Sequence, residues 1–140
     1  MSASQEGAKG SVLVVEDNEQ YITFLQNVLD SAEGIELDLS LCSCLSEAFE
    51  ESPGKGYHAI LLDLCLPDSE GIQTVEKMQE CAGDTPIVIL TGLDDTSLAL
   101  NAIAECGVWN YLSKHDIAFE DLRDAVIDAV QEGWRRTGRA

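Results

Sequence analysis

Four places in this 140-residue chain offer side chains that can do chemistry, and each follows a short apolar run. Asp63 closes Tyr57-His58-Ala59-Ile60-Leu61-Leu62 and is followed by Leu64-Cys65-Leu66-Pro67-Asp68. Glu16 and Asp17 follow Val12-Leu13-Val14-Val15, Thr91 follows Pro86-Ile87-Val88-Ile89-Leu90, and Lys114 follows Val108-Trp109-Asn110-Tyr111-Leu112-Ser113. Gathered together, three carboxylates repel one another and raise each other's pKa. Lys114 supplies one compensating charge. A hard divalent cation bound through oxygen supplies the rest, and Mg²⁺ suits a site built from few carboxylates. A carboxylate nucleophile beside such a cation, with a lysine and a hydroxyl in reach, is equipped for phosphoryl transfer.

Each residue also has an ordinary structural reading. Asp63 can cap a turn, and Glu16 and Asp17 suit the start of a helix through its dipole. Thr91 is at home in a strand, Tyr111 in a core, and Lys114 on a solvated loop. Those readings leave unexplained why an acid pair, an acid, a hydroxyl and a lysine all fall at strand ends.

The elements that position these ends follow from periodicity. The run from Ser11, the run into Asp63 and the run Pro86–Thr91 are short and apolar throughout, as in strands buried on both faces. From Glu36 to Cys44, Leu37, Leu39 and Leu41 alternate with polar residues, which predicts an edge strand; polar Asn110 marks the last strand as the other edge. Helical spacing joins Ile22, Leu25, Val28 and Leu29, with Asn18 as the cap and Gly34 as the stop. It also joins Ala48 and Phe49 after Ser46, Ile72, Val75 and Met78 after Ser69, Leu98, Ala99, Ala102 and Ile103 after Asp94 or Asp95, and Leu122 to Val130 after Asp116. Five strands alternating with five helices predict an α/β fold, a doubly wound five-stranded parallel sheet with helices on both faces. With the drier strands inside, the order is 2-1-3-4-5, flavodoxin-like, and all four chemical stretches arrive at one sheet edge.

Bulk properties narrow the class. The net charge of -18 disfavours direct nucleic-acid binding, because a phosphate backbone would be repelled. No apolar run is long enough to span a bilayer. The five cysteines are odd in number and form no Cys-x-x-Cys pair, so they are expected as small apolar core residues in a reducing cytoplasm. Residues 1–10 read as a disordered tail, 11–134 as one domain, and 135–140 as a solvated basic tail.

In its motifs the chain resembles the receiver domain of two-component response regulators, from about Ser11 to Trp134. The resemblance rests on Glu16-Asp17, Asp63 with Leu66-Pro67-Asp68 and Gly71, Thr91-Gly92, and Tyr111-Leu112-Ser113-Lys114. It implies that Asp63 accepts a phosphoryl group from a histidine kinase or phosphotransfer protein. It implies that Mg²⁺ is held by Glu16, Asp17, Asp63 and the backbone carbonyl of Cys65. Lys114 would pair with the phosphoryl group, Thr91 would move toward it, and Tyr111 would swing inward. The face made by the fourth helix, last strand and last helix would then meet a downstream partner, with no direct binding to nucleic acid or membrane.

The resemblance implies a phosphoacceptor regulatory domain and not a metabolic enzyme, one that catalyses its own phosphorylation and dephosphorylation. Where the family usually has proline after the lysine, His115 stands here, and a trans Lys114–His115 bond is expected because a cis bond before a non-proline residue costs roughly 3 kcal/mol. The output is expected to run through protein contact, a phosphorelay, or a longer chain. Among other readings, a magnesium-dependent phosphohydrolase would want a second acid two residues after Asp63, where Cys65 stands. A flavin module would want a phosphate cradle where the acidic first loop lies. A receiver-like scaffold without phosphorylation does not account for the complete set of polar residues.

Overall fold

The computed structural model describes residues 8–51, 56–92, 96–115 and 117–137. Five strands, β1 (Lys9–Val15), β2 (Glu36–Cys42), β3 (Ala59–Asp63), β4 (Ile87–Thr91) and β5 (Asn110–Ser113), form one parallel sheet in the order β2-β1-β3-β4-β5. Five helices intervene: α1 (Glu19–Asp30), α2 (Leu45–Glu51), α3 (Ile72–Ala82), α4 (Thr96–Cys106) and α5 (Phe119–Thr137). This is the predicted doubly wound architecture.

Strand alternation divides the core into two layers. Leu13, Val15, Ile60, Leu62 and Ile89 face one side, where Ala48 of α2, Val75 and Met78 of α3, and Ala99 and Ala102 of α4 pack on them. Val12, Val14, Leu61, Val88 and Leu90 face the other, against Leu25 and Val28 of α1 and Val126 and Val130 of α5. β1, β3 and β4 are dry on both faces, which places them inside the sheet. Pairing of Val15 with Leu62 and of Asp63 with Leu90 aligns their carboxyl ends.

Several local expectations change. β1 starts at Lys9, two residues before Ser11, and β2 stops at Cys42. Leu41 is 44% exposed, so the dry face of β2 does not extend to its end. Asn18 caps α1 as predicted, its Oδ1 accepting from the Gln20 and Tyr21 N–H groups, but Ser31 and not Gly34 ends that helix. Ser46 lies inside the first turn of α2 and does not cap it. Instead the Asp68 carboxylate reaches across from another loop, accepting from Leu45 N–H at 2.8 Å and Ser46 N–H at 3.0 Å.

Ser69 does not cap α3 either. It belongs to a short antiparallel hairpin pairing Cys65–Leu66 with Ser69–Glu70, and Gly71, at φ 74°, precedes the helix. β5 begins at Asn110, not Val108. Of the cysteines, Cys42 is buried in the core and half-buried Cys81 and Cys106 pack against it, whereas Cys44 is half-buried outside that cluster and Cys65 is exposed, so the core role fails for Cys44 and Cys65. Arg135 and Arg136 are solvent-exposed, as expected, but they lie within the last helix and not in a tail beyond it. They complete α5, and both engage Glu132. The Asp94, Asp95 and Asp116 caps, the loop at 52–55, residues 1–7 of the first tail and residues 138–140 lie outside the described residues.

Candidate functional site

The carboxyl ends of β1 and β3 bring Glu16, Asp17 and Asp63 together, with a carboxylate oxygen of each within 4.8 Å of the others. Glu16 is completely buried and Asp63 is 6% exposed, whereas Asp17 faces solvent. The site is therefore a deep acid pair with a third acid at its mouth. A cleft of about 410 Å³ opens over it, lined by these three acids with Asn18, Cys65, Gly92, Lys114 and His115.

Backbone pairing sets these side chains. Glu16 N–H donates to the Cys42 carbonyl at 2.9 Å, which prolongs the β1–β2 ladder past Val15. Glu16 Oε2 accepts from Asn18 N–H at 3.0 Å, turning the chain into α1. Asp63 Oδ1 accepts from Cys65 N–H at 3.2 Å. Lys114 N–H donates to the Thr91 carbonyl at 2.9 Å, so the lysine loop continues the β4–β5 ladder. The Lys114 ammonium then lies 2.7 Å from Glu16 Oε1 and 3.5 Å from Asp63 Oδ2, with only 15% of the side chain exposed.

The electrostatics follow from that geometry. Burial pushes the Asp63 carboxyl up to about 6, and the nearby Glu16 charge adds to the effect; Lys114 and the Cys65 N–H offset part of it. For Lys114, burial alone would lower the pKa. Its contact with Glu16 and the charge of Asp63 outweigh that, and the net direction is upward. One lysine against three carboxylates leaves excess negative charge in a partly buried cleft. Clustered oxygen donors of that kind suit a hard divalent cation, so the residues fit Mg²⁺.

The two predicted switch residues stand back from this cluster. Thr91 is 1% exposed and its hydroxyl donates to the Leu112 carbonyl at 3.3 Å. Tyr111, half-buried on β5, packs on the core layer shared with α2, α3 and α4. Neither lines the cleft. No cis peptide occurs among the described residues, so Lys114–His115 is trans as expected, and His115 is an exposed part of the cleft wall. Sequence reasoning missed Tyr21, whose ring centroid lies 4.8 Å from the Lys114 ammonium. Its place in the first turn of α1, just after the acid pair and the Asn18 cap, was the available signal.

Residues 12–127 match the family described as response regulator receiver domain. The chain is 31% identical over 108 residues, 77% of its length, to the photosynthetic apparatus regulatory protein RegA of Cereibacter sphaeroides, of which the match covers 56%. It spans 63% of the length of the photosynthetic apparatus regulatory protein RegA of Rhodobacter capsulatus and 46% of that of the swarming motility regulation protein RssB of Serratia marcescens. It also superposes, at a TM-score of 0.71 and 25% identity over 89% of this chain and 99% of the other, on the receiver domain of a Pseudomonas aeruginosa sensor histidine kinase that carries a magnesium ion coordinated in its active-site cleft. A signal receiver domain from an HD domain-containing protein of Pseudomonas fluorescens shares the fold at a TM-score of 0.79 and 21% identity, covering 94% of this chain and 93% of the other.

Proposed function

Since the chain belongs to the response regulator receiver domain family, we propose that it is a phosphorylation switch in which Asp63 takes a phosphoryl group from a histidine kinase or phosphotransfer protein. The observation that carries this reading is the convergence of Glu16, Asp17 and Asp63 within 4.8 Å under a lysine that touches two of them.

In the proposed chemistry a carboxylate oxygen of Asp63 attacks the phosphorus. The P–N bond to the donor imidazole breaks, its electron pair leaves with the nitrogen, and an acyl phosphate remains on Asp63. With Oδ1 held by the Cys65 N–H, Oδ2 on the Lys114 side is the freer nucleophile. Lys114 would leave Glu16 to pair with the transferred group. Glu16, Asp17, Asp63 and the Cys65 carbonyl would hold Mg²⁺, which when bound neutralises charge on the carboxylates and on the phosphoryl oxygens. Two buried carboxylates with a third at the mouth of the cleft cannot otherwise receive a fourth negative group cheaply.

The readout would begin at Thr91. Its hydroxyl exchanges a long bond to the Leu112 carbonyl for a phosphoryl oxygen, and Tyr111, two residues from the paired Ser113, repacks. A local change of charge would thereby bias a two-state element. The face of α4, β5 and α5 would meet the downstream protein or effector domain. The odd set of free cysteines suits a reducing cytoplasm, where we place the protein. Among the described residues no helix is long and apolar enough to cross a membrane.

Two-dimensional amide NMR with Mg²⁺, before and after beryllofluoride, tests the switch. Displaced resonances are expected at Asp63, Thr91, Tyr111 and along the β5 face. Changes confined to the residues around Asp63 would contradict propagation to that face.

A further inference from the structure

The Lys114 ammonium has a third neighbour besides its two carboxylates, the face of Tyr21 at 4.8 Å. From this we infer that Tyr21 is a positioning residue for Lys114: its ring holds the ammonium beside Asp63 without adding a charge that would compete with an incoming phosphoryl group. The inference rests on reading Asp63 as the phosphoacceptor.

Three observations support it. First, Tyr21 is fixed in place. The Asn18 side chain caps its N–H at 3.1 Å, and its ring leans on Phe24 at a centroid distance of 5.7 Å and an angle of 42°. Second, the Tyr21 hydroxyl makes no hydrogen bond to any described residue, and the contact that Tyr21 makes with Lys114 is through its ring. Third, the phenol stays neutral: burial, then the Glu16 and Asp63 charges, push it up to about 12.

The remaining argument concerns the lysine. Its backbone is tied to Thr91, but its long flexible side chain is steered only by what surrounds the ammonium. The Glu16 and Asp63 contacts weaken once those carboxylates share their charge with a cation. An aromatic face attracts the ammonium independently of them, because the attraction comes from the ring quadrupole. A fourth acid at position 21 would instead hold Lys114 by an ion pair that has to be broken before transfer. The ring keeps the lysine in position and still releases it.

The test compares wild type, Tyr21→Phe and Tyr21→Leu. In carbon-13 NMR without metal or phosphoryl donor, the Lys114 ε-methylene protons are expected upfield in wild type and Tyr21→Phe, from the ring current, and at ordinary positions in Tyr21→Leu. With saturating Mg²⁺ and acetyl phosphate, Tyr21→Phe is expected to be phosphorylated within about twofold of the wild-type rate and Tyr21→Leu about tenfold more slowly. Calorimetry is expected to give one Mg²⁺ affinity for all three. An unshifted Lys114 methylene in wild type, a Tyr21→Leu rate equal to wild type, or a Tyr21→Phe rate as low as that of Tyr21→Leu overturns the inference. A Tyr21→Leu loss matched by an equal loss of Mg²⁺ affinity also overturns it, because the effect then runs through the acids. If wild type accepts no phosphoryl group, the reading of Asp63 falls instead, and the methylene shift still decides whether the ring holds the lysine.

Discussion

At the carboxyl ends of β1 and β3, Glu16 and Asp63 are buried side by side and share one lysine. At the amino ends of the same strands, α5 is pressed onto the sheet by close packing and paired hydrogen bonds. His58 takes the Ser11 N–H on its Nδ1 at 3.0 Å and gives its own N–H to the Ser11 carbonyl at 2.8 Å. Trp134 meets His58 edge-on and donates from its indole to the Lys9 carbonyl at 3.1 Å. Arg136 bridges Glu132 and the Asp84 carbonyl while lying over Trp109. One edge concentrates like charges that cost stability, and the other concentrates contacts that supply it. A sheet buried on both faces lets the two edges differ this sharply, because the apolar layers between them keep the strand ends in register.

If that contrast holds, substitutions at the two edges separate stability from phosphoryl acceptance. The largest stability effect is expected at Gly133, where a Cβ would lie 2.0 Å from the His58 carbonyl oxygen. Gly133→Ala is expected to lower unfolding free energy by about 3 kcal/mol in urea, through forced displacement of α5, while the folded protein is still phosphorylated at the wild-type rate. A slowed rate would show that the two edges are coupled.

The opposite sign is expected at Asp63. Its carboxyl, raised to about 6 when folded, binds a proton more readily than in the unfolded chain. Between about pH 4 and pH 6 the folded state therefore holds more protons, and this group's contribution to stability falls as pH rises through that window. In metal-free protein at pH 7, Asp63→Asn is expected to be more stable than wild type by on the order of 2 kcal/mol, the difference closing toward pH 4. An Asn variant less stable than wild type at pH 7 would mean that the carboxylate is held favourably, and the contrast would fail.

Smaller effects belong to the amino edge. Trp134→Phe keeps an aromatic ring beside His58 and deletes the indole bond to Lys9, for an expected loss of about 1 kcal/mol by thermal unfolding. Glu132 is held down to about 2 by its hydrogen bonds to Arg135 and Arg136. Its contribution is present above the unfolded value near 4.5 and fades as pH falls toward 2, so the small stability gap between wild type and Glu132→Gln is expected to shrink only in acid. A gap unchanged down to pH 2 would show that the Glu132 pairing contributes nothing.

What was legible in the amino-acid sequence follows the same division. The strand order came from which runs were apolar throughout and which alternated, and Asp63, Glu16, Asp17 and Lys114 were found because strand ends can be read from those runs. Asp68 was not identified as the cap of α2, because its partners lie 22 and 23 residues away and no local window joins them. Ser69 looked like a cap for a different reason: its spacing to Ile72 is right, but a short local hairpin with Cys65–Leu66 takes its backbone. Arg136 read as a solvated end because its partners Asp84 and Trp109 arrive only once β4 and β5 are docked, whereas Arg135 meets only Glu132 of its own helix. Gly133 carries no turn signal at all. Its meaning is the nearness of a strand some 75 residues earlier in the chain.

The most direct measurement is intact mass after incubation with acetyl phosphate, with and without Mg²⁺, for wild type and Asp63→Asn. One added phosphoryl group on wild type, dependent on Mg²⁺ and absent from the variant, is the expected result, with beryllofluoride binding as the parallel readout should the acyl phosphate hydrolyse within the assay. An Asp63→Asn protein that still gains the group, or a wild type that gains none and binds no beryllofluoride, would contradict the assignment of the carboxyl edge to phosphoryl transfer.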